Sequence, residues 1–328
     1  MVKNFLLFML IFLFLSCLVY LIITNSIEKY RIEKYTNSIL SMSPHENIHV
    51  QKRIKFYLGN LFYEKEKSIF LSKEFIKKES LMGKHTEDFY NLIRKTKHSN
   101  SKFKIKFTDI RHKHSKDTLV KNRTSNDSVI LRCIKFQRHW KYYYNKPKDI
   151  KFEKKKSKII WRGTTTGNPN NPGNRFTLIE NWFEKNVNIN VAFSKICQGK
   201  NRYKKYLKNK MSIPEILQYK YILSVEGNDK DSGLSWKLNS NSLILMAKPT
   251  VSSWLMETTL IPNYHYVLLK DDFSDLEEKF EWCEKNQDKC KQIIKNANTF
   301  MNQFICDAKE KNLEKKVLNL YFSKIINV

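Results

Sequence analysis

The chain has 328 residues, 41% hydrophobic and 13% aromatic, enough for the cores of two ordinary domains, which argues against wholesale disorder. Lysine and arginine number 60 against 32 acids, a formal charge of +28 that favours anionic partners: anionic lipid, nucleic acid or phosphate-bearing substrates. Six cysteines without a CxxC pair argue against a zinc ribbon or a redox dithiol.

Phe5 to Thr24 reads FLLFMLIFLFLSCLVYLIIT, holds no charge and includes Cys17. Roughly 20 apolar residues cross a bilayer, and no small-residue cleavage site follows. Residues 1–26 are therefore predicted to be a retained single-pass membrane anchor. Lys29, Arg31 and Lys34 after the segment outnumber Lys3 before it, which favours a cytoplasmic body. The triplets Asn122-Arg123-Thr124 and Asn126-Asp127-Ser128 are glycosylation acceptors only in an endomembrane lumen. The two signals point to opposite faces of the membrane. Residues 27–49 read as a polar stem. Residues 50–150 read as a small α/β domain, from the aromatic and β-branched residues of Val50 to Phe70 and Phe103 to Phe107. Lys146 to Lys158, rich in lysine with a proline, is the expected domain boundary.

Residues 151–304 are more legible. Ile159 to Trp161 is a short strand closed by Arg162-Gly163-Thr164-Thr165-Thr166-Gly167, and a dense turn from Asn168 to Gly173 leads into a helix over Phe176 to Phe183. Strands are predicted at Tyr221–Val225, Leu243–Met246 and Tyr266–Leu269, with helices at Ser232–Asn239, Ser252–Leu260 and Asp275–Asn286. Ser274 with Glu277 three residues on reads as a capping box for the last of these. Gln287–Phe304 and Glu310–Ile325 are further helices, the second belonging to a closing segment, 305–328. Alternating strands and helices at this spacing mean βαβ units and a parallel sheet, whose ligands bind outside the carboxyl ends of the strands. The apolar run Ile222–Val225 ends in Glu226-Gly227-Asn228-Asp229, so a ligand crevice is expected there.

No GxxxxGK[ST] and no GxGxxG after a strand occurs, which excludes a P-loop nucleotidase and argues against a dinucleotide dehydrogenase. Asp271-Asp272 and Asp229/Asp231 make no convincing metal-ligand set, and the first pair reads as a helix start. His265 reads as a hydrogen-bonded core histidine, Trp236, Trp254 and Met256 as packing, and Cys283 and Cys290 as buried free thiols that bridge only in an oxidising compartment.

The ordered series Ile160-Trp161-Arg162-Gly163, Tyr219 to Asp229, Leu234-Ser235-Trp236-Lys237-Leu238, Ser240 to Leu243, Trp254 to Glu257, Pro262 to Tyr266 and Lys270 to Leu276 resembles glycosyltransferase family 90. It is nearest the branch that modifies bacterial lipopolysaccharide. The resemblance implies a GT-B architecture, two Rossmann-like domains facing across a cleft, and an inverting transfer from a UDP-sugar to a glycan, lipid-linked or protein acceptor. It implies no metal and no cofactor beyond the nucleotide sugar. Arg162, Arg175 and Lys237 are then candidates to neutralise the diphosphate, with Gly163 and Gly227 allowing close approach. Thr164, Asn228, Asp229 and Ser242 complete the expected donor site, and Glu226 or Glu257 would accept from ribose or sugar hydroxyls. Asp109, after Ile105 to Thr108, is the positional match for the base that deprotonates the acceptor hydroxyl. Basic residues are spread along the whole chain without a recognisable module, and with the anchor this argues against nucleic-acid binding. A membrane-surface protein with an inactive transferase-like fold is the alternative.

Overall fold

The computed structural model describes residues 46–64, 69–70, 89, 93, 103–109, 111–131, 148–304 and 307–326. The predicted anchor and all but the last few residues of the stem lie outside them. Among the described residues no helix is long and apolar enough to cross a membrane. Contacts divide the chain into Met1–Gln51 and one compact unit, Lys52–Val328.

Helix α1 (Glu46–Leu58) runs into a 3-10 turn over Gly59–Tyr63. The short strands β1 (Ile69–Phe70), β2 (Lys104–Lys106), β3 (Thr118–Val120), β4 (Asn122–Arg123) and β5 (Val129–Ile130) follow. Strands β2, β3 and β5 pair in that order as a parallel sheet. Asn122, the first glycosylation-type asparagine, is buried in β4, whereas Asn126 is exposed in the turn beyond it.

The second half builds a larger sheet. Its elements are β6 (Lys156–Thr164), α2 (Arg175–Trp182), β7 (Ile189–Lys195), α3 (Ile213–Ile216), β8 (Tyr219–Leu223), α4 (Leu234–Leu238), β9 (Leu243–Met246), β10 (Ser252–Ser253), β11 (Val267–Leu268), α5 (Leu276–Lys285) and α6 (Gln287–Asn302). Five strands lie in the order β11-β9-β8-β6-β7, every neighbouring pair parallel. Their inner strands are apolar on both sides: Ile159, Trp161, Tyr221, Leu223, Leu243 and Leu245 enter one cluster with α2, α5 and α6, and the alternate Ile160, Ile222 and Ile244 are equally buried. Helix α7 (Asp307–Lys324) and β12 (Ile325–Ile326) return to the first half, where β12 pairs with β1.

Three local expectations are corrected. Ser252–Leu260 is not a helix: Ser252 and Ser253 pair antiparallel with Arg123 and Asn122, Met256 takes a left-handed φ of 60°, and only a 3-10 turn follows at Glu257–Thr259. Tertiary pairing overrides the local periodicity there. The Ser274–Glu277 box does not form, because Asp275 is the residue before α5 and its carboxylate accepts from Lys270 N–H at 3.0 Å. Glu277 instead accepts from Asn186 at 2.6 Å. Strand β6 is also longer than expected, taking in Lys156–Lys158 and Arg162–Thr164, because β7 and β8 flank it on both sides and need its backbone groups. The preceding connector is docked rather than free: buried Lys155 pairs with Asp149, which also accepts from Asn241 N–H at 2.6 Å. Cys283 and Cys290 are buried free thiols, the second donating to the carbonyl of the first at 3.5 Å.

Candidate active site

From β6 the chain crosses to β7 on one side, and from β8 it continues to β9 on the other. The loops after β6 and β8 therefore diverge, and the gap between them is the switch point at which open parallel sheets bind ligands. Both loops carry the polar text singled out above. Gly167 N–H donates to Asn228 Oδ1 at 2.8 Å, and Gln198 donates to the same oxygen at 3.1 Å from the loop after β7.

Arg175, the first residue of α2, lies beneath the gap. Its Nη1 donates to the Thr164 carbonyl at 3.1 Å and to Thr166 Oγ1 at 2.7 Å, its Nε to the Glu226 carbonyl at 3.1 Å, and its Nη2 to the Val225 carbonyl at 3.2 Å. Burial lowers its pKa below the ordinary arginine value. Gly227 lies close against this seat, since a Cβ there would stand 2.8 Å from Arg175 Nη2 and 3.0 Å from Thr166 Oγ1. Gly167, at φ +103°, would bring a Cβ to 2.9 Å from the Gly227 carbonyl.

Beside the gap a small hollow of about 20 Å³ opens at the ends of β8 and β9, lined among others by Ser224, Glu226, Lys230, Asp231, Met246 and Glu257. Lys237, on α4, donates to the Leu223 carbonyl at 3.0 Å and to Asp231 at 2.5 Å. Burial pushes the Asp231 carboxyl up, but the Lys237 ammonium with bonds from Gly233 N–H and Ser224 outweighs it, and its pKa lies below the usual carboxylate value. Glu257, 1% exposed, takes Ser253 N–H and Oγ at 2.6 Å each and faces Lys230 at 3.4 Å. Lys200, from the loop after β7, donates to the Gly167 carbonyl at 2.6 Å over the ring of Phe176.

The first half reaches this loop through two cations that the sequence reading did not select. Arg111 donates to Glu226 Oε2 at 3.0 Å and, at 3.2 Å each, to the carbonyls of Gly227, Asn228 and Asp229. Lys121 pairs with Asp229 at 2.8 Å and also with Asp109, whose Oδ2 receives Asn228 Nδ2 at 3.4 Å. Asp109 thus stands at the mouth of the gap. Among the described residues no group of three His, Cys, Asp or Glu side chains is gathered as for a metal ion.

The profile of the family described as Glycosyl transferase family 90 matches residues 134–326. O-glucosyltransferase LpsA of Dichelobacter nodosus is 34% identical over 225 residues, 68% of this chain and 67% of LpsA. The chain belongs to glycosyltransferase family 90. A stretch of 94 residues, 27% of this family 90 transferase, is 35% identical to uncharacterized protein 179R of Invertebrate iridescent virus 6, and spans 8% of that protein. HepE of Anabaena, solved in complex with UDP, overlaps 49% of the transferase and 48% of its own chain at 12% identity and a TM-score of 0.37. An overlap that slight assigns neither donor nor architecture.

In the family 90 transferase Arg175, Thr164, Glu226, Gly227, Asn228, Asp229, Lys237 and Glu257 gather around the gap and its neighbouring hollow. Asp109 joins them. Three of the expected donor residues stand elsewhere, each for a geometric reason. Successive strand residues face opposite ways, and Arg162 turns to β7, donating to the Asn190 carbonyl at 3.0 Å and Oδ1 at 2.8 Å. Gly163 makes room for the Trp161 ring, which a Cβ would meet at 2.3 Å. Ser242 precedes β9 and donates to the Tyr219 carbonyl, at the amino ends of the strands. Arg111 had one available signal, its place two residues beyond Asp109. Lys121 had none, because its partners come from stretches far away in sequence.

Proposed function

We propose that this family 90 glycosyltransferase moves a sugar, glucose or xylose, from a UDP-sugar to a hydroxyl of a glycan, lipid-linked or protein acceptor, with inversion. The observation that carries the reading is the meeting of Asp109 with the Glu226–Asp229 loop at the switch point. The two parallel sheets whose carboxyl-end loops meet there support a GT-B arrangement. In this reading the nucleoside lies at the ends of β8 and β9, where Leu234, Met246, Ala247 and Pro249 line a small hollow beside Glu257. That LpsA bears the name of an O-glucosyltransferase supports glucose.

In this reading the acceptor oxygen attacks the anomeric carbon from the Asp109 side and loses its proton to that carboxylate. A new glycosidic bond forms as the bond from the anomeric carbon to the phosphate oxygen breaks, and UDP leaves with the electron pair. Arg175 and Lys200 at the glycine turn supply positive charge as the diphosphate departs, so no metal is called for. A single-pass anchor at residues 1–26 keeps the enzyme beside a membrane-held acceptor.

The test is the full-length protein in detergent, melted with UDP in the presence of EDTA. Ligand at about 100 times its dissociation constant is expected to add roughly 2.7 kcal/mol of stability. Stabilisation that appears only with manganese or magnesium refutes the metal-independent donor site. None with either, together with no UDP release from UDP-glucose or UDP-xylose, favours an inactive transferase-like fold.

A further inference from the structure

Lys121 lies where the chain passes from one sheet to a different ladder. Val120 before it pairs with Lys106 of β2 and Ile130 of β5. Asn122 and Arg123 after it pair with Ser253 and Ser252 of β10, in the second half. Its backbone is therefore fixed from both sides, and its side chain is 8% exposed. The ammonium at the end of that chain bonds two carboxylates at once, Asp109 from the first half and Asp229 from the donor loop. Two carboxylates sharing so small a space repel, and a buried ammonium that lacks them is strongly disfavoured. Of the two carboxylates Asp229 is 16% exposed and Asp109 41%, so the ammonium joins a half-exposed group to a more buried one.

The neighbouring bonds tie the same segments. Asn228 Nδ2 reaches the second oxygen of Asp109, and Arg111, two residues on, takes three carbonyls of the donor loop. The loop that carries the acceptor-side carboxylate is thus strapped to the loop that shapes the donor side, and Lys121 is the strap that bonds a carboxylate of each. A reacting carboxylate misplaced by about 1 Å loses on the order of 100-fold in rate.

We infer that Lys121 is a positioning residue for the transfer step: its ammonium bridges Asp109 to Asp229 and sets the base against the donor loop. The inference rests on the proposed role of Asp109 as that base. It assigns Lys121 an effect on turnover, exerted through Asp109, and none on nucleotide affinity.

The experiment measures UDP release from UDP-glucose by full-length enzyme, and UDP affinity by calorimetry, in four variants. Lys121→Met is expected to lower kcat about 100-fold while leaving the UDP dissociation constant within about twofold. Lys121→Arg, which keeps the charge, is expected to recover part of the loss. The double variant Asp109→Asn/Lys121→Met is expected to be no slower than Asp109→Asn alone, since both changes disable one unit. A general weakening of the fold would instead multiply the two losses. Wild-type kcat in Lys121→Met, or multiplying losses in the double variant, overturns the inference and leaves the Asp109 assignment standing. Full activity in Asp109→Asn overturns that assignment, and the role of Lys121 with it.

Discussion

Gly227 shows how closely the backbone and Arg175 are fitted. The guanidinium is held by three carbonyls and the hydroxyls of Thr164 and Thr166, so retreating from an added methyl costs it hydrogen bonds. Gly227→Ala is expected to fold and to bind UDP at least about tenfold more weakly, a loss of about 1.4 kcal/mol readable by calorimetry. Arg162→Ala should do the reverse. Its bonds go to Asn190, so UDP affinity should stay within about twofold while stability drops by about 1 kcal/mol in denaturant titration. A tenfold loss of affinity in that variant would return Arg162 to the site. The contrast marks what one sequence reveals at this scale. That Glu226, Gly227 and Asn228 end a buried run is visible in the text; that Arg162 points away from the crevice follows from strand alternation only once the true extent of β6 is known.

His265 gives a pH prediction. It is 1% exposed and its Nδ1 accepts Ile261 N–H at 2.8 Å, as a core histidine should. Burial lowers its pKa from 6.5 to about 3. The folded state thus refuses a proton that the unfolded state takes, so the stabilising contribution is complete above about pH 6.5. It shrinks as the pH falls from 6.5 towards 3, by up to about 1.4 kcal/mol per unit. His265→Asn should flatten the fall in Tm between pH 7 and pH 5 relative to the wild type. Equal slopes in the two proteins would contradict this origin.

At the scale of elements, helices α1 and α7 are joined by a buried ion pair. Arg53 donates to both oxygens of Glu310, at 2.5 and 2.8 Å, and to Tyr57 Oη at 2.9 Å, while Tyr57 donates to the Trp254 carbonyl at 2.7 Å. Removing one partner leaves the other charge buried and uncompensated, so Glu310→Ala is expected to cost about 3–5 kcal/mol in thermal unfolding. A paired replacement of Arg53 and Glu310 by apolar residues of matching volume should cost less. Elements with a clear apolar pattern were legible in the sequence: strands β8 and β9 and the amphipathic helix α6 stand within a residue or two of where their patterns put them. The stretch Ser252–Leu260 was not. It has the spacing of a helix, and only the distant Asn122 and Arg123 explain why it pairs as a strand and then turns at Met256.

At the scale of the molecule, the predicted anchor Phe5–Thr24 yields an extraction experiment. Lysines lying on anionic headgroups release their hold in high salt, since exposed charges are screened within about 8–10 Å. An inserted helix does not. Full-length protein is therefore expected to stay with membranes through both high-salt and alkaline carbonate washes, and release by either one refutes insertion.

The split origin of the crevice has a practical side. Residues from Thr164 to Glu257 line the gap and its hollow, and the first half lends them Asp109, Arg111 and Lys121. Between those three lie exposed residues such as His112 and Lys113. A chimera that exchanges the stretch around β2 and β3 for a relative's, while keeping the three linking residues, should redirect the choice of acceptor and leave the choice of sugar nucleotide as it was.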